Sequence, residues 1–526
     1  MNGGINSRAS WSAADVVRMA ALGAAAFLLY SFRLEHTPRY LHDAEILFGL
    51  QAHAIATTGR DVSGRLLPLY FQMQPIGDNV WFHPMLVYVT ALFLQILPFA
   101  EWSVRLPSAA VGAVDVMLMY VLAKRIFGRD RDATLASGLL MLTPAHFIHS
   151  RIAMDYIYPV PFVMGWMIAL LVFLERRRLW ILFAATSLLG IGVYTYIASV
   201  IMMPLYLVFT LAALWWTATL TARAALVALA GFAWPLVAIP FWLAYHPVVV
   251  AETLSRYQPD AAPRISGPAR RLSAYWGFHD PTYLFVTGGY ASPINSTRHA
   301  GVFSLPLIAP MAAGVWSAAR QRSLAGLLAV VGFFTAPLAA CIAVPEPYAI
   351  DRELTLLPFG ILLAVYGLHA LAASTHPAWR RAATVVLALV PLHFAFVCYD
   401  YFTDYRRVSA IWFELNHRGA FEKIVELAPS QSDGGARIYL PVDKDQYMDS
   451  YWQFTLTKLH RRDLHDRTVL YKSSELEAGS IPSGSLVLMR RGDSRIEALV
   501  QSGQLRVLSV IEELADPPEF IVLERP

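Results

Sequence analysis

Apolar runs of about 20 residues, the length a helix needs to cross a bilayer, recur along the first 400 positions. They cover 14–33, 107–124, 133–150, 157–174, 179–196, 198–216, 223–245, 302–318, 323–344, 354–373 and 382–399. The pattern predicts a polytopic α-helical membrane protein with about 11 spanning helices. Pro84 to Ala100 is also apolar, but it is short and closes on Leu97-Pro98. If it does not span, Lys124, Arg125, Arg129, Arg131, Arg176-Arg177-Arg178, Arg223, Arg320, Arg322 and Arg380-Arg381 all fall on the cytoplasmic side. If it spans, these basic loops move outside, against the positive-inside rule. The run is therefore expected to lie on the surface or re-enter it.

That topology makes 34–106 one large extracytoplasmic loop, with 246–301 and 345–353 on the same side. Within the first loop, Ala44 to Thr58 reads as a helix stopped by Gly59, with Ile46, Leu47, Leu50 and Ala54 on one face. Beyond 400 the chain turns polar. Ala436–Leu440, Arg467–Tyr471, Ser485–Met489 and Phe520–Leu523 read as buried strands, and Asp445–Leu459 as a helix between them. Strands alternating with helices predict a small α/β domain. The expected division is 1–400, a transmembrane catalytic domain, and 401–526, a soluble periplasmic domain. Basic Arg8 and Arg18 precede the first run, and no small-residue cleavage site follows Tyr30-Ser31-Phe32-Arg33. The expectation is an uncleaved first helix in the inner membrane, with the N-terminus in the cytoplasm.

Composition agrees with a membrane protein. Of 526 residues, 56% are hydrophobic and 15% charged, with mean hydropathy +0.46; soluble domains carry roughly 25% charged residues. A net charge of +4 gives no reason to expect a nucleic acid. Cys341 and Cys398 sit in apolar runs and read as small buried hydrophobes. Asp115, mid-span, is expected to face the bundle interior and hydrogen-bond a neighbouring helix.

The extracytoplasmic segments collect the remaining chemistry. Tyr40-Leu41-His42-Asp43-Ala44-Glu45 places two carboxylates, an imidazole and a phenol at the membrane surface. On spacing alone Asp43 reads as a helix cap and Glu45 as a first-turn acid. The alternative is a catalytic carboxylate, which the surrounding loops favour. Arg60, Asp61, Arg65, Asp78 and His83 follow, then Arg151 and Asp155, Tyr275-Trp276-Gly277-Phe278-His279-Asp280, and Asp351-Arg352-Glu353. Carboxylates mixed with arginines and aromatics at the mouth of a bundle suit an anionic, lipid-linked sugar. Arg151 and Asp155 also read as a structural ion pair, and Asn295-Ser296-Thr297 as a chance match to a glycosylation acceptor.

Taken in order, several segments together resemble a GT-C glycosyltransferase of the branch holding protein O-mannosyltransferases and lipid A aminoarabinose transferases. They are the acidic motif, Thr58-Gly59-Arg60-Asp61…Leu67-Pro68, Phe82-His83-Pro84, Val104-Arg105-Leu106-Pro107-Ser108, Ser150-Arg151 with Asp155, Asp351-Arg352-Glu353…Leu357-Pro358 and Tyr401-Phe402-Thr403-Asp404-Tyr405. The resemblance covers about 400 residues. It implies a polyprenyl-phosphate-sugar donor, an extracytoplasmic site, inversion at the anomeric carbon, and a lipid, glycan or protein acceptor.

Carried over, Asp43 or Glu45 is the base, with Asp43 preferred, and Asp155 orients Arg151 or holds the acceptor. Arg65, Arg151 and Arg352, with His83, meet the donor phosphate. Tyr40, His42, Tyr275 and Trp276 line the acceptor and sugar site. Two departures stand out: Ala44 separates acids that the family keeps adjacent, and His83 stands where relatives often carry lysine. His83 and His279 are an alternative pair of ligands for a divalent metal. A lipid-linked-glycan flippase and an inactive relative are the competing readings. A flippase needs polar groups along a transport pathway, whereas here, Asp115 apart, the charges gather on one face.

Overall fold

A computed structural model describes residues 11–73, 80–257, 267–289, 293–343, 348–428, 435–443, 447–514 and 518–526. Asp78 lies outside them. Among the described residues, seven helices are long and apolar enough to cross a membrane: Ala13–Ser31, Glu101–Phe127, Asp155–Arg176, Ser199–Trp216, Ala222–Tyr245, Leu324–Ile342 and Pro377–Ile411. The other expected crossings fall on shorter or broken helices. Leu179–Gly192 and Leu356–Ala372 are unbroken but short. The run 133–150 divides into Asp130–Met141 and Pro144–His149, because proline is favoured in a first helical turn and the residue before it leaves the helix.

Helix α1 (Ala13–Ser31) opens on a Ser12 capping box: Asp15 N donates to Ser12 Oγ (3.3 Å) and Ser12 N to the Asp15 carboxylate (2.7 Å). Helix α2 (Asp43–Thr58) ends at Gly59, whose φ of +69° is open to glycine without strain. Strands β1 (Phe71–Met73) and β2 (Val80–Phe82) pair antiparallel and lead into helix α3 (Met85–Leu94). At 1.5 Å per residue its ten residues reach about 15 Å, half of a hydrocarbon core, so it does not cross. Helix α4 (Glu101–Phe127) then runs back through the bundle.

Inside the bundle, one polar chain links three helices. Asp115 is buried and meets His146 Nε2 (3.3 Å), whose Nδ1 meets the Tyr30 hydroxyl (2.9 Å). That is the interhelical role expected of it. Helices Ile308–Gln321 and Leu356–Ala372 approach at Gly314 and Gly367, where a Cβ would fall 1.8 Å from the Leu363 oxygen and 1.7 Å from the Pro310 oxygen.

After the long helix Pro377–Phe402 the chain builds a five-stranded sheet from β3 (Ile438–Pro441), β4 (Thr468–Tyr471), β5 (Leu486–Arg490), β6 (Arg506–Ile511) and β7 (Phe520–Glu524), in the order β4-β3-β5-β7-β6. β3 runs parallel to β4 and β5, and β7 antiparallel to β5 and β6. Alternation divides β5 between two cores: Leu486 and Leu488 face helices His417–Leu427 and Met448–Lys458, while Val487 and Met489 face the other side. The first of these cores also holds Leu41, Ile46, Val104 and Ala153. The sheet domain is thus seated on the first turns of α2 and α4.

Candidate active site

The start of α2 is fixed by reciprocal hydrogen bonds. His42, not Asp43, is the N-cap: Ala44 N donates to its Nδ1 (3.2 Å), and His42 N donates to the Glu45 carboxylate (3.0 Å). An unprotonated imidazole nitrogen can supply the acceptor that serine or aspartate usually provides; protonated, the same nitrogen donates to Asp43 instead.

Glu45 goes on to a second task. Arg105 donates Nε and Nη2 to its two oxygens at 2.7 Å each, and Ala153 N adds a third bond at 2.8 Å. The same guanidinium donates to the carbonyls of Leu34 (3.1 Å), Pro38 (2.7 Å) and Tyr40 (2.6 Å). Glu45 and Arg105 are 0% and 1% exposed. The fork-to-fork pair welds α2, α4 and the 151–155 segment together.

Residues two apart on a helix face opposite ways, so Asp43 turns away from that weld, its side chain 17% exposed. Its Oδ1 lies against His42 Nδ1 and 2.5 Å from Ala44 N. Glu414, at φ +61°, brings a second carboxylate from the C-terminal region. Ligand atoms of His42, Asp43 and Glu414 lie within 4.8 Å of one another, so this trio could hold a divalent cation. Burial alone would lower the His42 pKa, but the bond to Asp43 and the nearby carboxylates win and raise it.

The sheet domain braces this corner. Tyr451 donates its hydroxyl to the Leu41 carbonyl (3.0 Å). Glu513 accepts from Tyr40 Oη (3.2 Å) and from Asn416 N (2.6 Å). Tyr40 is therefore tied to the domain.

Asp155, buried, sits on the single turn Asp155–Ile157, which packs on the turn Ile350–Arg352. Asp351 there accepts weakly from Tyr196 Oη and Asn295 Nδ2, both at 3.4 Å, and pairs with Arg352 Nε at 3.8 Å. The Arg352 side chain stays 20% exposed. Next to it Glu353 is 1% exposed and accepts from the Tyr283 hydroxyl. Burial pushes the Glu353 carboxyl well above its ordinary range, although the Tyr283 bond opposes it, and the Asp351 charge adds to the rise.

Arg151, expected at a phosphate, stands elsewhere. It is 0% exposed, and Nη1 donates to the carbonyls of Tyr30 and Phe32 (2.8 Å each). Nη2 reaches those of Arg33 (3.3 Å) and Thr37 (3.2 Å). It caps the orphan carbonyls at the end of α1, and among the described residues no ion pair joins it to Asp155.

Arg65 bonds Asp61 (2.7 Å) and Gln72 (3.2 Å) and stacks on Trp81. His83 is buried against Tyr70, and burial drops its pKa to about 4. His279 stacks on Phe334, and its Nδ1 lies 3.1 Å from the Tyr275 carbonyl. Tyr275 donates to the Phe334 carbonyl (2.9 Å), and Trp276 is exposed. Among the described residues, the groups able to share a cation are His42–Asp43–Glu414 and His299–Asp400–Asp404. His83 and His279 belong to neither, each ring being held by its own aromatic neighbours.

Arg105 and Glu414 escaped the sequence reading as site residues. Arg105 lay inside a motif already noted. Glu414 carried no local signal, since only the folded chain brings it beside position 43.

The resemblance to GT-C glycosyltransferases seen in the sequence is supported by a family model over part of the chain and by solved structures of similar fold. The sequence model for dolichyl-phosphate-mannose-protein mannosyltransferases matches residues 82–238. ArnT from Cupriavidus metallidurans in the apo state is similar with a TM-score of 0.58 and 15% identity, over 97% of this chain and 98% of that one. The same protein bound to undecaprenyl phosphate gives 0.53 and 14%, over 98% of both chains. The Archaeoglobus fulgidus oligosaccharyltransferase tethered with an acceptor peptide gives 0.50 and 13%, over 90% of this chain and 69% of that one. No curated protein matches the chain. At these identities the likeness is one of fold.

Proposed function

We propose that this protein is an inverting glycosyltransferase that moves a sugar from a polyprenyl-phosphate donor to a hydroxyl of an envelope lipid, glycan or protein. The observation that carries this reading is the division of labour at the start of α2. Glu45 is buried in a bidentate pair with Arg105, while Asp43, two residues earlier, points away from that pair and stays partly exposed. The resemblance to dolichyl-phosphate-mannose-protein mannosyltransferases, and to a fold seen elsewhere with undecaprenyl phosphate bound, supports the donor class.

In this reading Asp43 accepts the proton of the acceptor hydroxyl as its oxygen bonds the anomeric carbon. The bond from that carbon to the phosphate oxygen breaks, and polyprenyl phosphate leaves with the electron pair. Arg352, one-fifth exposed beside Asp351, meets the growing charge, and Asp155 orients the acceptor. If a divalent cation takes part, His42, Asp43 and Glu414 are its ligands. The site lies on the periplasmic face of the bacterial inner membrane, opposite the basic loops, with the N-terminus in the cytoplasm and residues 401–526 forming a periplasmic domain over 1–400.

The test is transfer from radiolabelled polyprenyl-phosphate sugars to total envelope lipids, with wild type beside Asp43→Asn and Glu45→Gln. A positioned base is worth roughly 10²–10⁴-fold, so Asp43→Asn should lose that much kcat while melting like wild type. Wild-type turnover by Asp43→Asn would overturn the assignment. Flipping of a lipid-linked glycan without transfer would replace the enzyme with a transporter.

A further inference from the structure

A cleft of about 580 Å³ opens between the end of α1 and the first turns of α4. Arg33, Glu35, His36 and Arg39 form one wall, Trp102 and Leu106 the other. Arg406, from beyond helix Pro377–Phe402, donates Nε to the His36 carbonyl (3.1 Å) and adds a third guanidinium at the rim. Among the described residues, Arg33, Arg39 and Arg406 form no ion pair with a carboxylate. The charge of Glu35, the one acid in the wall, acts on Arg418. The field is strong enough to be felt by His36, whose pKa is lowered first by burial and then by Arg406, Arg33 and Arg39. Guanidiniums that outnumber the carboxylates around them repel one another, and a bound anion lowers that cost.

Position defines the anion's source. Residues 33–39 directly follow the α1 span, which puts the cleft at headgroup depth. Below it, Leu28 and Phe32 of the same segment are 69% and 55% exposed and give acyl chains an apolar track. Arg33 lies over the Phe32 ring at 5.4 Å. We propose that this cleft binds the phosphate-bearing headgroup of a bilayer lipid, with Arg33, Arg39 and Arg406 on the phosphate and the chains along Leu28 and Phe32. Arginine suits the task because its planar fork matches phosphate oxygens.

The test is native mass spectrometry of the intact protein in neutral detergent, titrated with phosphatidylglycerol, phosphatidylcholine or inorganic phosphate. No donor is present, so the outcome is independent of the transferase reading. Phosphatidylglycerol should bind at least tenfold tighter than phosphatidylcholine. The double variant Arg33→Gln/Arg39→Gln should lose at least tenfold. Arg33→Lys/Arg39→Lys keeps the charge and should stay within about threefold of wild type, guarding against misfolding. Arg380→Gln/Arg381→Gln removes the same charge at the far end of its helix and should bind as wild type. Equal binding by the Gln double variant, or by the two lipids, would refute the site. Displacement of the lipid by millimolar inorganic phosphate would reassign it to free phosphate.

Discussion

Asp43 and Glu45 are separated by one alanine and have opposite environments. Removing the charge of Glu45 leaves Arg105 buried and unpaired, a change that costs about 3–5 kcal/mol when a buried pair is broken on one side. Glu45→Gln is therefore expected to lower the melting midpoint clearly, and Glu45→Gln/Arg105→Met to recover part of the loss; equal melting of all three proteins would show the pair to be idle. His83 makes a second residue-scale prediction. Its folded pKa of about 4 lies below the ordinary 6.5, so between those values the unfolded chain binds a proton that the folded chain refuses. Its contribution to stability is complete above pH 6.5 and declines as pH falls toward 4. At about 1.4 kcal/mol per unit the loss is of order 3 kcal/mol. His83→Gln should flatten the stability-versus-pH curve over that window in a thermal scan. Neither residue's environment could be read from its neighbours in sequence. The Glu45–Arg105 pair joins positions 60 apart, and Arg151 reaches carbonyls more than 110 positions upstream. What the sequence did show was that residues of the right chemistry gather in the same few loops.

Elements were legible where one physical constraint dominates. A strand buried on both faces must be apolar throughout, so β3, β5 and β7 stood out, while the edge strand β4 stood out by its Thr468-Val469-Leu470-Tyr471 run of strand formers. β6, the other edge strand, did not: three of its six residues are exposed, and its Arg506 and Ser509 break any apolar run. The membrane runs were legible from length alone, but not the break before Pro144, since a helix interrupted inside a bundle keeps its apolar composition. Helix contact is likewise invisible to hydropathy. Gly314 and Gly367 let two helices touch backbone to backbone, a recurrent device where small residues replace bulk in lipid. Overpacking commonly costs about 1–3 kcal/mol. With carbonyl oxygens under 2 Å from the new Cβ, Gly314→Ala and Gly367→Ala should each reach or exceed that range, read as a lowered midpoint of detergent-induced unfolding. Gly138, with nothing within 4 Å of its Cβ position, is the matched control and should tolerate alanine.

Across the whole molecule, the sheet domain and the membrane bundle share one core around Leu41, Ile46, Trp452 and Phe454, and polar bonds from Tyr451 and Glu513 reach the residues just before Asp43. The domain thus sets the placement of the acidic corner. Glu513→Ala removes the acceptor of both Tyr40 and Asn416. Transfer should fall several-fold while the domain itself resists protease; wild-type rates would show that the brace is dispensable. The order in which a ribosome makes these parts then matters. Leu41 precedes by 410 positions the tyrosine that holds its carbonyl. Among the described residues, the helices able to cross a membrane all precede the sheet in the chain. Until Tyr451 has been made and folded, the Leu41 carbonyl beside the acidic corner lacks that brace.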